Sequence, residues 1–292
     1  MDEQIVRRGS RSVRLTHLER VLWPEAGIRR RDLFSYYESV ARVVIPHLRN
    51  RPFTMKRHYT VPRGPFEWVK DAPPELPEWV ATCPQPARSR RGALVRYPLV
   101  NDPLALLWMI EFGCIDLHAW TARCDRPDRP DHVVLDLDPR DGAAFPDAIE
   151  AAQLAREALA ALGLESLPRT SGSGGVHVLV PIARRHTYPE VREFAAVVAH
   201  ALARAEPSLE RHVNVDVKMN GHGQQFVVVY SVRPLPGAPV CTPLLWDELT
   251  RDLDYTELTM DVVSERVAEL GDVHEPLLHG RQRLDAALAR LA

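Results

Sequence analysis

Apolar residues recur at helical spacing over 32–49, at Leu33, Phe34, Tyr37, Val40, Val44 and Leu48, with Asp32 placed as an N-cap. The stretch 60–92 breaks this regularity. Pro62, Pro65, Pro73, Pro74, Pro77, Pro84 and Pro86 forbid long elements and predict an irregular excursion with short strands, a usual place for binding loops. Residues 103–112 read as a short helix with proline in its first turn. From His132 the pattern becomes regular. Val133-Val134-Leu135 followed by Asp136-Leu137-Asp138-Pro139 reads as a buried strand ending in acid, and Pro146 to Leu162 as a helix stopped at Gly163. A Gly/Ser turn then leads into a strand over Val176–Val180, and Pro189 to Ala205 is a second helix. Val213–Val217 and Phe226–Val232 read as two strands joined through Asn220-Gly221-His222-Gly223, and 262–270 and 281–291 as amphipathic tail helices. This order predicts an α/β or α+β class with a mixed or antiparallel sheet.

Composition narrows the class. In 292 residues, 45% hydrophobic content provides for a core and argues against disorder. The 37 basic and 39 acidic residues leave a net charge of −2, which excludes a basic nucleic-acid coat but not a local basic cleft. Only Lys56, Lys70 and Lys218 are lysines, so arginine carries nearly all the positive charge. Cys83, Cys114, Cys124 and Cys241 form no Cys-x-x-Cys pair and read as buried thiols in a reducing compartment rather than as disulfides or zinc ligands. Neither a signal-peptide pattern nor an apolar run of roughly 20 residues is found, so the expected location is cytoplasmic. The preferred organisation is one domain over 1–292: an accessory part over 1–100, a catalytic core over 101–260 and a helical tail over 261–292.

The candidate chemistry begins at Asp136 and Asp138. On a strand, residues i and i+2 share a face, so both carboxylates project together and repel unless a cation sits between them. Oxygen-only ligands suit Mg²⁺ or Mn²⁺; the bland reading is a strand end, because Asp-x-Asp-Pro is also turn chemistry. Thr170-Ser171-Gly172-Ser173-Gly174-Gly175-Val176-His177 lets backbone N–H groups and hydroxyls approach an anion, with His177 as a further donor, or else is a flexible turn with an incidental histidine. It is neither a Walker loop nor a Gly-x-Gly-x-x-Gly helix start. Asp216, flanked by Val215 and Val217, either faces solvent or adds a third carboxylate. A two-metal phosphoryl-transfer centre needs about three, to hold ions about 4 Å apart. Taken together, these features favour phosphoryl transfer. His186, His200, His212 and His222 show no metal spacing and read as surface or loop residues; Trp23, Trp79, Trp108, Trp120 and Trp246 read as packing.

In order and spacing the chain resembles the polymerase domain of bacterial ligase D, a branch of the archaeo-eukaryotic primase superfamily. The resemblance runs over almost the full length. It is carried by Leu15 to Pro24, Arg51 to Arg57, Asn101-Asp102, Leu117-His118-Ala119-Trp120, Asp125 to Pro139, Thr170 to His177, Asp216 to Gly221, Tyr230 to Arg233 and Pro236 to Val240. It implies a primase-polymerase fold with a largely antiparallel central sheet flanked by helices. It also implies a metal-dependent, template-directed nucleotidyltransferase acting in non-homologous end joining or gap filling. By position, Asp136, Asp138 and Asp216 match the carboxylates for two Mg²⁺ or Mn²⁺ ions. Ser171 and His177 match the triphosphate pair, and Lys56, His118 and Arg233 fall around the incoming nucleotide. Arg20 and Arg30 fall where a DNA 5′-phosphate is held, with Arg88, Arg90 and Arg91 as an extension, and Trp68 falls near a template-stacking aromatic. The implied partners are DNA ends or 5′-phosphorylated gapped duplex, nucleoside triphosphates, Ku and a separate ligase, in a nucleoid-associated setting and with no membrane.

The chain departs from that pattern where the family carries a basic residue and it has Gly174, and where an Asp-Tyr-x-Arg-Asn run reads Asp216-Val217-Lys218-Met219-Asn220. Lys218 is expected to face away from the acids. The usual aromatic pair reads Glu67-Trp68, which implies a half-acidic stacking platform. These losses motivate an alternative of a different class, a DNA-end-binding or bridging module with a weakened polymerase centre.

Overall fold

A computed structural model describes residues 2–87 and 92–291; Arg88, Arg90 and Arg91 lie outside the described residues. The chain runs β1 (Glu3–Arg8), β2 (Arg11–Thr16), β3 (Val21–Trp23), β4 (Ile28–Arg29), α1 (Arg30–Leu48), β5 (Phe53–His58), β6 (Phe66–Val69), β7 (Thr82–Pro86), β8 (Leu94–Pro98), α2 (Pro103–Glu111) and β9 (His118–Ala119). It continues through β10 (His132–Pro139), α3 (Phe145–Ala161), β11 (Leu167–Thr170), β12 (Val176–Pro181), α4 (Tyr188–Ala205), α5 (Leu209–His212), β13 (Val213–Asp216), β14 (Phe226–Val227), α6 (Met260–Leu270) and α7 (Asp285–Leu291). The helix read from 32 begins two residues earlier. Asp32 is not its N-cap but sits in the first turn, where its carboxylate accepts from the Arg29 N–H at 2.7 Å.

Two four-stranded sheets carry the architecture, in the orders β11-β12-β10-β13 and β14-β9-β5-β6, and every named strand pair is antiparallel. The first sheet follows strict alternation. Val133, Leu135 and Leu137 of β10 join Val176, Val178 and Val180 of β12 in one core cluster, packed by Ile149, Ala152 and Ala155 of α3 and by Val191, Phe194 and Val198 of α4. The alternate residues Val134, Asp136, Asp138 and His177 therefore take the opposite face. A fully buried Phe or Leu in this layer stabilises by about 1.5–3 kcal/mol. Such burial fixes the register, and one residue of slip would turn the acids into the core.

The second sheet belongs to another cluster, which joins β2, α1, α2, β5 and β9 to Val228, Val229, Tyr230 and α6. The strand read over Phe226–Val232 is reduced to Phe226 and Val227, with an isolated bridge from Val232 to Val240, because Tyr230 adopts φ +64° and turns the chain. Nor do β13 and β14 pair with each other; each lies in a different sheet, with a 3-10 turn over Lys218–Asn220 after β13.

The reading of all four cysteines as thiols is corrected. Cys83 and Cys124 are joined in a disulfide, their Cα atoms 5.9 Å apart, while Cys114 and Cys241 are free and buried. The bond spans 41 residues, and only the packing of Cys83, Tyr97, Leu99 and Trp120 brings its ends together. His186 is buried rather than superficial and accepts from the Leu284 N–H at 3.2 Å. Among the described residues no helix is long and apolar enough to cross a membrane.

Candidate nucleotidyl-transfer site

The acids occupy the open face of the first sheet. Asp136 on the central β10 lies opposite His177 of β12 on one side and Asp216 of β13 on the other, and Asp138 lies opposite Asn214. His177 Nε2 stands 3.1 Å from Asp136 Oδ1. Its Nδ1 accepts from Arg169 Nε at 3.0 Å, which fixes the proton of the neutral ring on Nε2, facing Asp136. Burial opposes ionisation of Asp136, but the His177 ring and the Arg169 and Arg233 guanidiniums outweigh it and hold its pKa below the ordinary value. At Asp138, burial and the charges of Asp136 and Asp216 all push the pKa up.

Asp216 is drawn elsewhere. It accepts from the Lys218 N–H at 2.6 Å, and the Lys218 ammonium lies 3.4 Å from its other oxygen. Lys218 thus points toward the acids, against the strand-based expectation, because it opens a 3-10 turn instead of continuing β13. With Asp136 turned to His177 and Asp216 to Lys218, the described residues hold no group of three His, Cys, Asp or Glu side chains gathered for a metal ion. The donor set still fits a hard divalent cation. It is oxygen-only, its members share one sheet face, and two of them raise the pKa of the third. Asn220, at the end of the same turn, accepts from Val134 N–H at 2.8 Å and donates to Val134 C=O at 2.7 Å, continuing the β10 ladder beyond β13 with a side chain.

The Gly/Ser turn closes on itself. Ser171 Oγ accepts from the Ser173 and Gly175 N–H groups at 3.1 and 2.9 Å, so these two amides serve the turn. A Cβ at Gly175 would lie 2.5 Å from Asp138 Oδ1, which brings the turn against the acid pair. Gly174 has φ +96°, a conformation that would strain the basic side chain of the family pattern.

The second sheet supplies the cations. Lys56 of β5 and His118 of β9 meet at Asp116 Oδ2, at 2.8 and 2.9 Å, and Arg233 Nη1 lies 3.8 Å from the same oxygen. Arg233 Nε and Nη1, both buried, have no hydrogen-bond partner. Burial, partly offset by Asp116, lowers the pKa of His118. Phe226 of β14 joins the two sheets, its ring 4.7 Å from that of His177.

Sequence reading did not find Asp116 or His58, whose Nε2 lies 2.7 Å from Asp116 Oδ1, although Asp116 stands two residues before His118 in the alternation used for Asp136 and Asp138. It also missed Phe66. Phe66 and Trp68 share one face of β6, 5.9 Å apart and both exposed, with the Lys56 ammonium 4.4 and 5.6 Å from their rings. Glu67 turns to the other face and accepts from the Tyr59 hydroxyl. The platform beside the site is therefore aromatic, not half acidic.

Arg20 and Arg30 line a separate cavity of about 310 Å³ with Arg57, Tyr59 and Phe112. Arg20 is exposed and donates to Tyr59 C=O at 3.2 Å. Arg30 is mostly buried, donates to Thr16 C=O and Glu111 C=O at 2.9 and 2.7 Å, and pairs with the Glu111 carboxylate at 3.3 Å.

Carboxylates on one sheet face, with a cation cluster and an aromatic platform on the second sheet, are the kinds of group a nucleotidyl-transfer site calls for. The model of the LigD primase-polymerase domain family matches residues 29–274, and the chain belongs to this family of nucleotidyltransferases. It is 30% identical to the multifunctional non-homologous end joining protein LigD of Mycolicibacterium smegmatis, over 91% of this chain and 36% of that protein. The protein of that name from Pseudomonas aeruginosa is 30% identical, over 97% and 35%. The bifunctional Bacillus subtilis LigD is 25% identical, over 89% and 43%. The chain thus spans well under half the length of these relatives. The polymerase domain of Mycobacterium tuberculosis ligase D, solved in complex with DNA, superposes with TM-score 0.83 at 27% identity, over 92% of this chain and 99% of that one.

Proposed function

We propose that this protein adds nucleotides to a DNA primer end under template direction, at gaps or broken ends bearing a 5′-phosphate. The observation that carries this reading is the cross-strand placement of Asp136, Asp138 and Asp216 with His177, with Arg233 of the Lys56 and His118 cluster near enough to lower the pKa of Asp136 and to oppose the rise at Asp138. The family is divalent-metal dependent. Mg²⁺ or Mn²⁺, two ions held by the three carboxylates, would supply Lewis-acid activation of the attacking hydroxyl and stabilise the leaving group. The chain's own residues do the rest. Ser171 and His177 border the triphosphate, Lys56 and Arg233 offset its charge as the transition state forms, and His118 fixes the nucleotide. Phe66 and Trp68 offer stacking surface for the template, which suits binding with little sequence preference. Arg20, Arg30 and Arg57 around their cavity provide for the 5′-phosphate. Ku and a separate ligase are the partners such a role would call for, in the cytoplasm at the nucleoid.

A second reading, an end-binding module without polymerisation, is favoured by Gly174 and Met219, where the resemblance calls for basic residues. Lys218 beside Asp216 restores one charge near the acids and weakens it. One assay separates the two: extension of a primer on a 5′-phosphorylated gapped duplex, with ribo- and deoxyribonucleotides, in Mg²⁺, Mn²⁺ or EDTA. Incorporation that EDTA abolishes is expected. Tight binding of the duplex with no incorporation in either metal would favour the second reading.

A further inference from the structure

We propose that Asp116 is a positioning residue, a buried anion that holds Lys56, His118 and Arg233 in the arrangement that receives a nucleoside triphosphate, with His58 steadying it from behind. The inference rests on the nucleotide-binding role proposed above for that cluster. Asp116 is fully buried, and a buried carboxylate persists only where cations or donors surround it. Three segments deliver them. Lys56 and His58 share a face of β5, Asp116 and His118 alternate into β9, and Arg233 arrives beyond β14. Oδ2 takes Lys56 and His118, with Arg233 alongside; Oδ1 takes His58 alone at 2.7 Å. Burial alone would raise the Asp116 pKa, but His118, His58 and Lys56 hold it well below the carboxylate range.

The cluster is not closed, as a purely structural ion pair would be. One carboxylate faces two permanent cations, leaving a positive surplus when both histidines are neutral. Arg233 Nε and Nη1 have no hydrogen-bond partner, and neither do the Nδ1 atoms of His58 and His118. Each histidine turns Nε2 to Asp116, so each neutral ring is the Nε2–H tautomer. Without the anion, Lys56 and Arg233 would repel, and the lysine ammonium would be free to extend to solvent.

The test is the Kd and stoichiometry of ATP binding in Mg²⁺, by calorimetry on the full chain, for wild type, Asp116→Asn and His58→Phe. KM and kcat for primer extension are measured in parallel. Asp116→Asn keeps the shape and removes the charge, and is expected to raise Kd and KM about ten-fold or more with stoichiometry unchanged and kcat less affected. His58→Phe, which removes the Oδ1 partner of Asp116 while keeping an aromatic ring against Phe66, is expected to raise both about three-fold. An unchanged Kd, or a stoichiometry that falls at unchanged Kd, assigns Asp116 to the fold alone and overturns the proposal. If Asp116→Asn does not fold, His58→Phe decides by the same criterion. Wild type that binds ATP but never incorporates it removes the polymerase reading and leaves this one standing; normal incorporation with unchanged Kd in the variants does the reverse.

Discussion

At Asp138, burial and two neighbouring carboxylates all favour the protonated acid, so its charge weakens the folded state wherever it is ionised. Because the folded pKa is raised, this penalty is fully present above that pKa and is relieved as the pH falls through it. Replacing the residue by Asn, a near-isostere, should therefore raise stability, on the order of 1 kcal/mol in a urea titration at neutral pH, while destroying activity. A destabilised Asp138→Asn would mean that the acids are not crowded as described. His274 behaves oppositely. Fully buried, its Nε2 facing Pro168 C=O at 2.8 Å, it has its pKa pushed down to about 3 by burial and by Arg169. The unfolded chain takes up this proton near the ordinary histidine value, so the contribution is whole above about pH 6.5 and is lost as the pH falls toward 3, by at most about 1.4 kcal/mol per pH unit. Chemical unfolding between pH 7 and 4.5 should show that decline, and His274→Gln should flatten it.

Among the elements, β6 and the β7–β8 hairpin carry the consequences. Alternation on β6 puts Phe66 with Trp68 and sends Glu67 to Tyr59. Phe66→Ala should weaken binding of single-stranded template by about 1–3 kcal/mol, whereas Glu67→Ala should leave it nearly unchanged; equal losses would contradict the shared face. The Cys83–Cys124 bond ties β7 to the segment after β9. Thiol titration of the denatured, unreduced protein should find two reactive groups, not four, and reduction should cost about 2–4 kcal/mol in a denaturant titration. Helices α1, α3 and α4 and strands β10 and β12 were legible because each buries a continuous apolar face, and α2 was legible from the proline in its first turn. Neither the bend at Tyr230 nor the disulfide was legible. A positive φ at Tyr230 and a contact between cysteines 41 residues apart follow from tertiary packing that no local pattern encodes.

On the scale of the whole molecule, a net charge of −2 is reconciled with the polyanionic substrate proposed above by placement. Lys56 and Arg233 converge on Asp116, Arg20, Arg30 and Arg57 line one cavity, and three aspartates share one face of β10 and β13. The acids of the site were legible in the sequence, because two of them alternate on one strand and the third follows at family spacing. That the three stop short of a gathered cluster was not legible, since it depends on His177 and Lys218, which turn two of the carboxylates aside. Asp116 stayed hidden as a single acid in an apolar run, Cys114-Ile115-Asp116-Leu117, whose meaning appears only when β5 and β9 pair. The most direct measurement is templated addition of one nucleotide at a 5′-phosphorylated gap, in Mg²⁺ and in Mn²⁺, by wild type and by Asp138→Ala, with duplex binding measured alongside. Wild type is predicted to extend the primer, and Asp138→Ala to lose extension by at least about 100-fold while binding the duplex as before. Extension by Asp138→Ala at the wild-type rate would contradict the account.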